Sequence, residues 1–274
     1  MKPRRFSPVT RVYTVLNQKG GAGKSTLVVN LAAIVAERVN PNPDPDLEPP
    51  VAIVSIDPQG SALWWSARIG SKRNYQIYQW DAAYDTLTEL RDLKQAVGLD
   101  YVFVDTPGWL DLSPGDGRSD GLGSGRAAEA LRAVLDASDE VIVPITPEPL
   151  HLDPTVRTIE KLLIPRGIPF TVVVNAWGAS EGEVWLNETR AFMQKRRYRL
   201  AETAIRRYKV HANAPLNRVT AIDYTKKLSD AQRRQTDEAK KASELKAAED
   251  LYRLAEELTG LGISMRSDLV EAGL

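Results

Sequence analysis

Eight consecutive residues, Lys19-Gly20-Gly21-Ala22-Gly23-Lys24-Ser25-Thr26, combine three glycines, two lysines and two hydroxyls. Glycines let backbone N–H groups approach an anion with no Cβ in the way. A lysine beside them offers positive charge to phosphoryl oxygens, and a serine hydroxyl is a ligand for a hard cation. These types suit MgATP on a backbone cradle, with Gly20, Gly21, Ala22, Gly23, Lys24, Ser25 and Thr26 in contact with it. Lys24 then reaches the β/γ-phosphates and Ser25 the Mg²⁺ ion. The common spacing G-x-x-x-x-G-K-[ST] is not met, because its first glycine falls on Gln18. An additional lysine, Lys19, stands at the loop entry instead.

Two aspartates occupy comparable places further on. Asp57 follows the apolar run Val51–Ile56 and opens Asp57-Pro58-Gln59-Gly60-Ser61. Asp105 follows Tyr101-Val102-Phe103-Val104 and opens Asp105-Thr106-Pro107-Gly108. Continuous apolar runs read as parallel strands buried on both faces. A carboxylate at the end of such a strand faces the ligand crevice of an open α/β sheet. Asp105 is thereby placed to hold a Mg²⁺-bound water. The plainer alternatives are a strand-ending Asp at 105 and a helix N-cap at 57, where Asp is favoured.

The elements that must position these groups alternate. A strand at about 11–17 precedes the loop, and the apolar run from Leu27 starts a helix reaching Val39. Residues 40–50 carry five prolines and read as an exposed insertion. Strands are expected at 51–56, 75–79, 101–105, 140–145 and 168–175. Helices are expected from Ala62, at 83–97 (Leu87, Leu90, Leu93 and Val97 on one face), at 124–137 and at 153–164. The order β-α-β-α predicts an α/β fold, a doubly wound, mostly parallel sheet with helices on both faces. Residues 111–125, rich in Gly, Ser and Asp, read as a loop. A last strand is expected at 200–206, a loop at 211–215 and a charged helical extension over 225–260. There Leu245, Ala248, Leu251, Tyr252, Leu254, Ala255 and Leu258 share a face. The whole, 1–274, reads as one domain with a short basic tail at 1–10.

Composition excludes several functions. With no cysteine among 274 residues, disulfides and cysteine-bound zinc or iron–sulfur clusters are ruled out, and two histidines are too few for a histidine metal site. The net charge is zero, so any attraction to nucleic acid must come from local asymmetry. Residues 1–8 lack the apolar segment of a signal peptide, and no apolar run approaches the roughly 20 residues that span a bilayer. A cytoplasmic protein without membrane attachment is the expectation. The last third holds a basic excess, with Arg196, Arg197, Arg199, Arg206, Arg207, Lys209, Arg218, Lys226, Lys227, Arg233 and Arg234 as candidates for contact with DNA phosphates. A solvated helix face with no partner is the competing reading.

The sequence K-G-G-x-G-K-S-T, the D-P-Q-x-[NS] segment at Asp57 and the strand ending in Asp105 resemble, in order and spacing, the deviant Walker A motifs of the ParA/MinD superfamily of dimerising ATPases. The resemblance covers about 11–260. It is closest to ParA-type partition ATPases, through A-P-x-x-G-x-[ST] and its neighbours, matched at Ala214-Pro215, with Arg218 where that family has glycine. It implies that Asp57 positions the attacking water and that Thr26 hydrogen-bonds the α-phosphate. It also implies that Asn175 and Pro215 border the adenine, and that Lys19 crosses to the phosphates of a second subunit. An ATP-dependent homodimer, slow catalysis, non-specific DNA on the nucleoid, a ParB-type centromere-binding partner, and plasmid or chromosome segregation follow from it. A positioning ATPase for a protein or membrane-associated cargo, MinD-like or serving chemoreceptor arrays or microcompartments, shares the same motifs. So does a conventional P-loop kinase, against which Lys19 and Asp57 argue.

Overall fold

The computed structural model describes residues 9–108, 120, 122–179, 182–224 and 238–271. In chain order its elements are β1 (Arg11–Val15), α1 (Lys24–Val39), β2 (Val51–Ser55), α2 (Ser61–Ile69), β3 (Gln76–Gln79) and α3 (Leu87–Arg91). There follow β4 (Tyr101–Asp105), α4 (Arg126–Ala137), β5 (Glu140–Ile145), α5 (Pro149–Thr158) and β6 (Phe170–Val174). The last are α6 (Val184–Lys195), α7 (Lys209–Leu216), α8 (Glu238–Thr259) and α9 (Ser267–Glu271).

The six strands lie in the order β3-β2-β4-β1-β5-β6, and every pairing is parallel. Each parallel neighbour needs a crossover, which the intervening helices supply. The chain works outward from β1 to the β3 edge, returns to β4 beside β1, and then builds the other side. That reversal opens a crevice at the carboxyl end of β1. Register brings the relevant ends level: Val15 and Ser55 both stand opposite Asp105.

Side-chain alternation splits the core between the two faces of the sheet. Tyr13, Val15, Ile53 and Phe103 pack with α1, α2, α7 and α8. Val12, Val54, Val102 and Val104 pack on the opposite face with α4 and α6. The C-terminal helix is integral to the first layer. Leu251, Leu254 and Ala255 are fully buried, and Tyr13 donates its hydroxyl to the Leu258 carbonyl at 3.3 Å. Each buried leucine stabilises by about 1.5–3 kcal/mol. Residues 225–237 of the expected extension lie outside the described residues.

Four expectations change. The helix over 83–97 is one turn, α3, followed by a 3-10 turn at Leu93–Gln95. The chain becomes extended at Ala96, so Val97 leaves the shared face and is fully exposed. The strand over 200–206 is two single bridges, Leu200 beside Val172 and Arg206 beside Trp177. The loop at 211–215 is helix α7, whose last turn accommodates Pro215 because its fixed φ is helical and only one hydrogen bond is lost. The helix over 153–164 begins at Pro149 and runs on through a π turn, Ile159–Leu163. Among the described residues no helix is long and apolar enough to cross a membrane.

Burial holds His211 on α7 neutral, lowering its pKa; Nε2 lies 3.1 Å from the Arg206 carbonyl and the buried Nδ1 meets no partner. An imidazolium would leave that second N–H unsatisfied. Because the folded state depresses this pKa, its contribution to stability is complete above the ordinary value of about 6.5 and is lost as pH falls below it. Thermal denaturation between pH 7.5 and 5 should show Tm falling with acid, and His211→Gln should flatten the fall.

Candidate nucleotide site

α1 starts without a side-chain cap. Its N-cap is Gly23 at φ 81°, and Gly21 also lies in the left-handed region at φ 78°. The first-turn amides of a helix have no intrahelical acceptor, and the dipole adds partial positive charge there. Lys24 folds back over the loop, donating to the carbonyls of Asn17 at 3.1 Å and Lys19 at 3.4 Å. The loop thus encircles its own ammonium and turns bare N–H groups outward, an arrangement that suits a polyphosphate.

The two aspartates converge on the same place. Asp105 is fully buried, and one of its oxygens accepts the Ser25 hydroxyl at 2.8 Å. The other, Oδ1, is buried without a hydrogen-bond partner. Burial pushes the Asp105 carboxyl up to about 7, reinforced by the Asp57 charge and opposed by Ser25 and Lys24. Burial lowers the Lys24 pKa, while Asp105 and Asp57 raise it. An orphaned carboxylate oxygen beside a serine hydroxyl fits a Mg²⁺ ion, or a water bound to one, whose remaining ligands come from phosphate. Asp57 is buried and accepts the Gln59 amide at 2.9 Å. It is not the cap of α2, since Gly60 takes that position at φ 61°. Its carboxylate is left at the crevice.

Two further segments close over the loop. A methyl group on Gly108 would lie 3.1 Å from Gly20 Cα and 3.2 Å from Lys24 Nζ, so the Asp-Thr-Pro-Gly turn rests directly on the cradle. Asn175, at the end of β6, donates to the Ala22 carbonyl at 2.7 Å. The predicted residues from Lys19 to Thr26, with Asp57, Asp105 and Asn175, therefore assemble at one crevice. Pro215 does not join them through any described contact; its carbonyl accepts Arg68 Nε on α2 at 3.3 Å.

Four residues that sequence reading passed over position the loop. Asn17 donates to the Pro144 carbonyl at 2.7 Å and to Thr155 Oγ1 at 2.8 Å, and accepts the Lys19 amide at 3.0 Å. Thr158 accepts the Gln18 amide at 3.2 Å. Asn30, buried in α1, accepts the Ala221 amide at 2.8 Å and donates to the Thr26 carbonyl at 2.8 Å. Asn30 had a signal, being an amide inside an otherwise apolar run, and Asn17 a weaker one, as the first amide after the apolar run of β1. Thr155 and Thr158 had none, because their partner is a loop distant in sequence.

The fold is that of MinD bound to Mg-ADP from Pyrococcus horikoshii, at TM-score 0.60 and 18% identity over 92% of this chain and 97% of that one. It is also that of a substituted McdA from Cyanothece in complex with ATP, at TM-score 0.58 and 11% identity over 94% and 99%. In sequence the chain is 32% identical over 220 residues to the maintenance of carboxysome distribution protein A of Gloeobacter kilaueensis, spanning 80% of this chain and 87% of that protein. The chain belongs to the ParA/MinD superfamily. No protein-family model matches the sequence.

Among the described residues, several of this superfamily member's basic candidates are engaged within the fold. Arg206 is bound to Asp250 at 2.6 Å and Glu249 at 3.7 Å, and Arg199 pairs with Glu140 at 3.2 Å. Arg196 stacks on the Phe192 ring, 3.8 Å from its centre. These three are occupied within the fold. Arg197, Arg207, Lys209 and Arg218 are exposed. Lys226, Lys227, Arg233 and Arg234 lie outside the described residues. Arg218, where the resembled pattern has glycine, takes φ 60°, a left-handed backbone that glycine adopts without strain.

A methyl group on Gly23 would fall 2.2 Å from Asn175 Nδ2 in a backbone conformation that side chains rarely adopt. Strain of about 1–3 kcal/mol is expected there. Gly23→Ala should weaken a fluorescent ATP analogue by about tenfold or more in an equilibrium titration. Unchanged affinity would mean that the nucleotide does not use this backbone.

Proposed function

We propose that the protein is a positioning ATPase that distributes a protein cargo. The observation that carries this reading is the loop with two lysines, joined to the 32% identity with a protein named for maintaining carboxysome distribution. MgATP would be held by the amides of Gly20 to Thr26, with Lys24 on the β/γ-phosphates, Ser25 on Mg²⁺ and Asp105 on a water bound to that ion. Asp57 orients the attacking water. Asn175 borders the base side of the crevice.

Lys24 already stabilises phosphate from within the subunit, which leaves Lys19 without a task there. Lys19 sits at the loop entry, partly exposed, near α5, where burial lowers the His151 pKa, Glu148 opposes the shift and the Lys19 charge adds to it. A second copy brought against this face gives it one: a cation donated in trans to transition-state charge. ATP then closes a homodimer and hydrolysis opens it, so the enzyme acts as a timer and its unstimulated turnover is slow.

Plasmid or chromosome segregation gives way to cargo positioning, because the relative matched over most of the chain is named for carboxysome distribution. A protein cargo calls for a stimulating partner carried on that cargo, in place of a ParB-type centromere-binding protein. Non-specific DNA of the nucleoid remains the track in this reading, in the cytoplasm.

Lys24→Ala should abolish ATP binding, read by equilibrium titration; tight binding by that variant would overturn the phosphate assignment. Lys19→Ala should keep ATP affinity within about threefold and lose both hydrolysis and ATP-dependent dimerisation. Light scattering with ATP and with ADP, beside phosphate release, checks the pair. Normal turnover in Lys19→Ala would remove the role in trans.

A further inference from the structure

Of the described basic candidates of the last third, Arg196, Arg199 and Arg206 are engaged within the fold, whereas Arg218 is gathered with cations from elsewhere in the chain. The C-terminal end of α2, the 3-10 turn after it and the turn following α7 enclose an open cavity of about 540 Å³. Its lining includes Arg68, Lys72 and Arg218, together with Thr220 and Asp223. Residues 61–80 carry Arg68, Lys72 and Arg73 and no acid at all. The one carboxylate of the lining is engaged: Asp223 accepts Arg266 at 2.9 Å and the Thr220 hydroxyl at 2.8 Å. Among the described residues Arg68, Lys72 and Arg218 form no ion pair.

The cavity is held open by contacts unrelated to its charge. Trp65 Nε1 donates to the Val219 carbonyl at 2.8 Å, fixing the turn to α2. Arg68 Nε donates to the Pro215 carbonyl, and its guanidinium lies over Trp64, 4.7 Å from the ring centre. Trp64 itself is half exposed. Arg68 is thus pre-oriented by stacking and a backbone acceptor, with further N–H donors turned to solvent. The left-handed φ of Arg218 directs that side chain from a tight turn.

We propose that this cavity is the site where the protein grips the phosphodiester backbone of duplex DNA. The proposal rests on the nucleoid track of the preceding reading and names residues for it. Three cations without an ion pair among the described residues, on the end of α2, the 3-10 turn after it and the turn following α7, match successive phosphates better than one small anion. Among the described residues the lining holds no Asn or Gln, the side chains that pair with adenine edges, so their grip is positioning without sequence preference. A lipid surface fits less well, because α2 turns its apolar side chains Ala62, Trp65 and Ile69 inward and presents no continuous apolar face. In an ATP-closed dimer two such cavities act together, and affinity rises through avidity.

The test is the anisotropy of a fluorescein-labelled random-sequence duplex, titrated with ATP-loaded protein at two salt concentrations. The variants are the triple change Arg68→Ala, Lys72→Ala, Arg218→Gly and a control, Lys195→Ala with Arg197→Gly, on the opposite side of the sheet. Titration with the ATP analogue and Tm verify that each variant is folded and loaded. The triple change should weaken the duplex at least tenfold and make the salt slope shallower by about 2.7 for three lost contacts, while the control stays within twofold of wild type. Wild type that binds, with a triple variant that binds equally, overturns the site and leaves the nucleoid track standing. Wild type that binds no duplex overturns both. Loss by the triple variant of binding to phosphatidylglycerol vesicles or to inorganic phosphate, with duplex binding unchanged, overturns the proposal in favour of those anions.

Discussion

A lysine ammonium held inside a ring of its own backbone carbonyls governs this structure. Lys24 lies buried between Asn17 and Lys19 and near two carboxylates, and a buried charge persists only where hydrogen bonds and opposite charge replace water. Satisfying it requires the loop to curl tightly, which demands left-handed backbone at Gly21 and Gly23. It also requires the ends of β1 and β4 to be level, so that Asp105 arrives beside Ser25. The all-parallel order with β1 between β4 and β5 is the arrangement that delivers both. The fold and the cradle are one solution to one electrostatic problem.

The cradle is wired to distant parts through neutral hydrogen bonds rather than ion pairs. Asn30 ties α1 to Ala221, and Trp65 ties α2, which begins just past Asp57, to Val219. The same turn is gripped from the far side by Arg266, which bonds Asp223 and Glu37. Both α1 and α2 are thereby joined to the turn that carries Arg218.

Charge at the surface sorts differently from charge along the chain. A run of arginines in sequence looked like one basic face, yet Arg199 and Arg206 satisfy acids of β5 and α8, and Arg196 covers an aromatic ring. The exposed Arg199 gains little stability from its pair, about 0–1 kcal/mol, and Arg206 meets a buried acid, Asp250; either way a cation is removed from service to a ligand. The cations left without acids come from Arg68 and Lys72, in a stretch whose lack of Asp and Glu was visible but whose neighbourhood with Arg218 was not.

The sequence alone determined the β-α alternation, the parallel sheet, the cradle and the two strand-ending aspartates. These follow from local chemistry: glycine at left-handed positions, proline where donors are absent, apolar runs of strand length. The apolar face of α8 was equally legible, since its spacing matches one helical stripe. Tertiary structure decided what depends on residues far apart in the chain. It showed that the path at Ala96 turns Val97 out to water, that 200–206 is an edge held by single bridges, and that α7 is a helix despite Pro215. It assigned Asn17, Asn30, Thr155 and Thr158 to the loop, because a buried amide or hydroxyl takes its meaning from its partner. It also divided the arginines into those already paired and those still free to meet a phosphate, since that depends on which acids folding places within reach.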